Sequence, residues 1–143
     1  MGNTQEVNIL LVEDDVVDQQ AMRRALRELR FANPLLVADN GVTALELLRA
    51  EADPLLRPPF MVLLDINMPK MNGLEFLQEL RADKKLKNTV VFILSTSNSP
   101  EDIDLAYNLN VAGYIVKSDI KNSLMEALSM LEHYWRIVEL PRN

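Results

Sequence analysis

Three short stretches of the chain, Ile9–Val12, Phe60–Leu64 and Val90–Leu94, are continuous runs of branched, aromatic and other apolar side chains bounded by turn-forming or charged residues. A strand with one wet face alternates apolar and polar positions, so unbroken runs of this length predict strands covered on both faces. Two weaker runs, Leu35–Ala38 and Tyr114–Val116, read as shorter strands of the same kind. Between the runs the spacing becomes helical. Val17, Ala21, Ala25 and Leu29 fall at i+4 steps, with Met22 and Leu26 widening the stripe, and Leu74, Leu77 and Leu80 form a face that starts just after Gly73. Thr43–Leu48, Pro100–Leu109 and Asp119–Val138 supply the other helical patterns. Strand and helix thus alternate five times, which predicts right-handed crossovers, a mostly parallel sheet and helices on both of its faces. The stretch from Ala52 to Pro59 carries three prolines and reads as a rigid surface loop ahead of the third strand.

At 143 residues the chain holds one domain's worth of core, and 48% hydrophobic with 25% charged residues places it among folded globular proteins. The net charge of −6 argues against nucleic acid and anionic membranes as partners, since both select basic surfaces. The absence of Cys removes disulfides, thiolate nucleophiles and zinc–cysteine sites, and the single His cannot build a His-rich metal centre. The first residues lack the pattern of a secretory signal. Apolar runs of about five residues fall far short of the roughly 20 that cross a bilayer, so a cytoplasmic protein is expected.

The chemistry lies where the strands stop. Glu13, Asp14 and Asp15 follow the first strand; Asp65, with Ile66, Asn67, Met68 and Pro69 behind it, follows the third; Ser95, Thr96 and Ser97 follow the fourth; Lys117 follows the fifth. In doubly wound sheets, ligands sit outside the carboxyl ends of the strands. Carboxylates gathered at one sheet edge repel one another unless a cation joins them, and an all-oxygen donor set suits a hard ion such as Mg²⁺ that keeps several waters. Asp65 beside such an ion can accept a phosphoryl group as an acyl phosphate, with Lys117 neutralising phosphoryl oxygens and the Ser95 hydroxyl bonding one of them.

These residues resemble the receiver domain of two-component response regulators, from about Asn8 to Leu131. The acidic pair after the first strand, Leu64-Asp65-Ile66-Asn67-Met68-Pro69 with Gly73 beyond it, and Tyr114-Ile115-Val116-Lys117 carry the likeness. The resemblance implies a flavodoxin-like (βα)5 fold, a doubly wound parallel five-stranded sheet of order 2-1-3-4-5. It further implies Asp65 as phospho-acceptor and a Mg²⁺ or Mn²⁺ ion held by Glu13, Asp14, Asp65 and the main-chain carbonyl of Asn67. Ser95 and Tyr114 match the family's switch pair, and Lys117 its essential lysine. Three consecutive acids allow Glu13 with Asp14 or Asp14 with Asp15; the first abuts the strand as the family pattern does. One departure stands out: Ser118 follows Lys117 where the family usually has proline, which puts the shape of the last loop in question.

The ending, Tyr134-Trp135 with Val138-Glu139-Leu140-Pro141, is similar to single-domain regulators paired with bacterial and cyanobacterial phytochrome kinases. The expected organisation is an extension over residues 1–7, a receiver domain over 8–138 and a tail over 139–143. The implied function is a phospho-acceptor switch rather than an enzyme, loaded by a sensor histidine kinase, with a bacteriophytochrome as the candidate, and read out through partner or dimer contacts. Met125, Tyr134, Trp135, Ile137, Leu140 and Pro141 add apolar surface to the last helix and tail, and predict a homodimer. The rival readings fare worse. A haloacid-dehalogenase-type phosphatase shares the Asp nucleophile and Mg²⁺ but needs a second Asp where Asn67 stands, and a flavodoxin-like cofactor protein needs a Ser, Thr and Gly loop where the acids stand. Arg23, Arg27 and Arg30 read as a solvated basic stripe, and His133 as a surface residue.

Overall fold

The structure, a computed structural model, describes residues 8–30, 35–50, 60–66, 68, 71–116, 126, 128–131, 133 and 134. Its elements run β1 (Asn8–Val12), α1 (Val16–Glu28), β2 (Leu35–Ala38), α2 (Gly41–Arg49), β3 (Phe60–Leu64), α3 (Gly73–Ala82), β4 (Val90–Ser95), α4 (Pro100–Asn108) and β5 (Gly113–Val116). Residues 126, 128–131, 133 and 134 are helical as well. All strand pairs are parallel and the sheet order is β2-β1-β3-β4-β5, as the alternation and the resemblance imply.

The continuous apolar runs are explained by two cores that split each strand by parity. Leu10, Val12, Val62, Leu64, Val91 and Ile93 face one way, onto Ala44 and Leu45 of α2, Phe76, Leu77 and Leu80 of α3, and Ala106 of α4. Ile9, Leu11, Met61, Leu63, Phe92 and Leu94 face the other way, onto Met22, Ala25 and Leu26 of α1 and onto Leu128 and Leu131. Tyr134 closes that second layer with an edge-to-face contact on Phe92, ring centroids 5.4 Å apart at 86°.

The expected face of α1 holds except at its first position. Met22, Ala25 and Leu26 are buried and Leu29 packs on the second core, but each i+4 step overshoots a turn by about 40°, and Val17, three such steps before Leu29, is 71% exposed.

Arg81, at the end of α3, ties three segments together. Its guanidinium donates to the carbonyls of Leu109 (2.7 Å), Lys87 (2.7 Å), Thr89 (2.8 Å) and Asn110 (2.9 Å). Leu109 and Asn110 end α4, where helix carbonyls have no partner of their own, and Asn110 sits in the left-handed region at φ 62°. Burial lowers the Arg81 pKa from its ordinary value. The pattern of apolar residues carried no sign of this junction, because all four partners are main-chain groups.

Candidate functional site

The register of the central strands sets the acids side by side. Val12 pairs with Leu64 across β1 and β3, so the residues that follow, Glu13 and Asp65, leave the sheet together. The ladder continues one step into these exits, since the Asp65 amide donates to the Val12 carbonyl and the Glu13 amide to the Ala38 carbonyl, both at 3.0 Å. Carboxylate oxygens of Glu13, Asp14 and Asp65 all lie within 4.8 Å of one another. Like charges at 4 Å repel by about 4 kcal/mol at the effective dielectric of a protein surface. Three hard oxygen donors at this spacing fit a small divalent cation such as Mg²⁺ or Mn²⁺.

The third acid of the run is used differently. Asp15 is the N-cap of α1, its Oδ1 accepting the Val17 amide at 2.8 Å and the Asp18 amide at 3.3 Å. That is the capping role expected of a short acid before a helix. The Glu13 side chain is only 3% exposed, and its Oε2 accepts the Asp15 amide at 3.2 Å.

Gly73 lets the third exit close up. Its amide donates to the Ile66 carbonyl at 2.8 Å, and a Cβ there would lie 2.6 Å from both the Asp65 carbonyl oxygen and the Ile66 Cα. Any side chain would push α3 off the loop that carries Asp65. The start of α3 is a reciprocal capping box, with the Glu75 amide donating to Asn72 Oδ1 at 2.9 Å and the Asn72 amide to Glu75 Oε1 at 3.3 Å. An Asn with a Glu three residues on is the sequence signature of that motif.

On the far side, Ser95 ends β4 fully buried and its Oγ accepts the Ser97 amide at 3.1 Å. Ser97 in turn accepts the Tyr114 hydroxyl at its carbonyl (2.9 Å) and donates its own hydroxyl to Asp102 Oδ2 (2.6 Å). Ser99, the N-cap of α4, makes no side-chain capping bond, so Ser97 anchors that helix from outside. Ser95 and Tyr114 are thus joined through one residue. Asp102, which accepts the Ser97 hydroxyl, and Gln19, which donates to the Glu13 carbonyl (2.6 Å) and to Asp39 Oδ1 (2.9 Å), were not legible as site neighbours.

Asn67 and Lys117 lie outside the described residues, as do Ser118 and five residues of the expected dimer contact, Met125, Trp135, Ile137, Leu140 and Pro141. Tyr134 is half-buried, and Arg23, Arg27, Arg30 and His133 are exposed. Among the described residues no helix is long and apolar enough to cross a membrane.

Residues 9–129 match the family model described as the response regulator receiver domain. Response regulator Rcp1 of Synechocystis sp. is 32% identical over 135 residues, which span 93% of this chain and 92% of its own. Chemotaxis protein CheY-3 of Vibrio cholerae is 34% identical over 126 residues, 87% of this chain and 91% of its own. Among solved structures, the phosphorylated cyanobacterial phytochrome response regulator RcpA superposes with a TM-score of 0.84 at 34% identity, covering 96% of this chain and 99% of that one. The Mn²⁺-bound form of Rcp1 superposes with a TM-score of 0.81 at 30% identity, covering 94% and 99%. A match of this extent in sequence and in fold, on a sheet whose carboxyl edge gathers three acids, makes the chain a member of the response regulator receiver domains of two-component signalling.

Proposed function

We propose that this receiver domain takes a phosphoryl group from a sensor histidine kinase onto Asp65, with Glu13, Asp14, Asp65 and the Asn67 carbonyl holding Mg²⁺ or Mn²⁺. The observation that carries the reading is the convergence of the Glu13, Asp14 and Asp65 carboxylates at the exits of β1 and β3. The crystal form of Rcp1 with Mn²⁺ supports a divalent cation for this donor set. When bound, the ion neutralises charge on the carboxylates and on the incoming phosphoryl oxygens.

A carboxylate oxygen of Asp65 attacks the phosphorus, the P–N bond of the donor phosphohistidine breaks, and the imidazole leaves with the bonding pair, to be protonated by solvent. The acyl phosphate on Asp65 retains all three remaining phosphoryl oxygens. Lys117 pairs with one of them and the Ser95 hydroxyl donates to another. The Ser95 Oγ that would make this bond also accepts the Ser97 amide, and Ser97 in turn holds Tyr114 and α4, so a change at Ser95 is passed to both. Phosphorylation thereby shifts the population between two arrangements of that loop, helix and ring.

A phytochrome as the kinase partner is supported by two similar structures, the cyanobacterial phytochrome response regulator RcpA and the bacteriophytochrome response regulator AtBRR, the latter 30% identical with a TM-score of 0.69. The output is contact with a partner or with a second copy, the surface being Met125, Tyr134, Trp135, Ile137, Leu140 and Pro141; nucleic acid is disfavoured by the −6 net charge. Incubation with Mg²⁺ and acetyl phosphate or phosphoramidate, read by intact mass, tests the core of this reading. One added phosphoryl group, abolished in Asp65→Asn, is the expected result. Steady turnover of unrelated phosphate monoesters, the phosphatase behaviour, would overturn it.

A further inference from the structure

Gln19 lies half-buried in the early part of α1, and its side chain reaches both neighbouring strand exits. Nε2 donates to the Glu13 carbonyl at 2.6 Å and to Asp39 Oδ1 at 2.9 Å. A carbonyl and a carboxylate can only accept, so the nitrogen and not the oxygen of the amide must face them, and both of its hydrogens are committed. Glu13 ends up held at three points. Its amide donates to Ala38, its carbonyl accepts from Gln19, and its buried carboxylate accepts from the Asp15 amide. Capping of α1 does not require the Gln19 bond, because Asp15 already performs it. Asp39 follows β2, the strand beside β1, yet its carboxylate is not one of the three that converge.

We propose that Gln19 is a positioning residue for the cation site: its amide fixes the main chain of Glu13, so that the buried carboxylate meets Asp14 and Asp65, and it keeps the Asp39 carboxylate engaged outside the set. The proposal rests on the reading that Glu13, Asp14 and Asp65 hold a divalent ion. Outer groups that orient ligands typically set metal affinity by 10- to 100-fold, so removal of this amide is expected to weaken binding by about 10-fold.

The decisive comparison uses Gln19→Met, which removes both donors, and Gln19→Glu, which keeps the shape but replaces the donors with a carboxylate. Mn²⁺ binding to the full chain would be measured by electron paramagnetic resonance of the free ion, alongside urea unfolding without metal. Positioning predicts that both variants bind Mn²⁺ about 10-fold more weakly while metal-free stability stays near wild type. If Gln19 were only a nearby surface group, the added negative charge would make Gln19→Glu bind Mn²⁺ more tightly. Wild-type or tighter binding by either variant would overturn the proposal. So would a loss of affinity matched by an equal loss of metal-free stability, which marks a general structural role. A wild-type protein that takes up no Mn²⁺ would overturn the cation-site reading itself, an outcome separate from the behaviour of the variants.

Discussion

The acidic edge and the Arg81 junction handle charge in opposite ways. At the edge, three carboxylates of one sign share a space in which their oxygens lie within 4.8 Å. At the junction, one cation is met by four neutral carbonyls, the dipoles of two loops and a helix end. The first arrangement raises the energy of the metal-free fold and is relieved by something from outside. The second lowers the energy of the fold by itself, because one guanidinium donates four charge-assisted hydrogen bonds of 2.7–2.9 Å to main-chain carbonyls. Gathered like charges therefore mark function, whereas a half-buried cation among carbonyls marks architecture. The two regions should respond to neutralisation with opposite signs.

The largest effect on the fold is expected at the junction. Arg81→Met should lower the unfolding free energy by about 2–4 kcal/mol, since several charge-assisted bonds go and their carbonyls lose their donor. Urea denaturation would read this, and Mn²⁺ affinity should remain at the wild-type value; a variant as stable as wild type would erase the contrast. The acidic edge gives the converse. Metal at about 100 times its dissociation constant should stabilise the wild type by roughly 2.7 kcal/mol through linkage. Asp14→Asn should lose that increment, yet be at least as stable as wild type without metal, because one member of a repelling group is gone. Thermal melts with and without Mg²⁺ separate these terms, and a metal-free variant clearly weaker than wild type would count against repulsion.

Gly73→Ala tests how far the edge depends on close packing. With 2.6 Å to main-chain atoms of Asp65 and Ile66, the added methyl must displace the loop, at a cost of about 1–3 kcal/mol, and it should weaken Mn²⁺ binding as well. Loss of stability with unchanged affinity would show that Asp65 tolerates the shift. The smallest effect concerns Asp83, a half-buried carboxylate whose pKa is lowered from 3.8, first by the Lys85 amide and then by its bond from Arg49. A depressed pKa contributes stability above the ordinary value that disappears as pH falls through the folded one. The stability difference between wild type and Asp83→Asn should therefore be present at neutral pH and shrink on acidification below 3.8. A difference that stays constant into the acid range would remove the linkage.

The dimer surface of the sequence reading stands apart from these tests. Tyr134 turns one edge onto Phe92, so part of the apolar surplus on the last helix closes the second core layer. Sedimentation with and without beryllofluoride decides what the remaining surface covers.

The sequence by itself determined the fold class and the site's composition. Runs such as Met61–Leu64, with no exposed position, require a sheet covered on both faces, and alternation with helices leaves parallel crossovers as the solution. Acids, a hydroxyl and a lysine that directly follow the strands must emerge at the sheet's carboxyl edge, so Asp65 and Asp14 could be named as neighbours from local pattern, and the family resemblance selected Glu13 over Asp15. What the tertiary structure decided are the relations between residues far apart in the chain or between side chains and main chain. How Val17 turns away from the core and which carbonyls Arg81 collects depend on rotation and approach in space. Gln19 and Asp39 stand twenty residues apart and bear no periodic relation, yet one amide joins them. Burial patterns repeat and can be read along a chain; a hydrogen bond between distant groups depends on a few tenths of an ångström that only the packed sheet and helices supply.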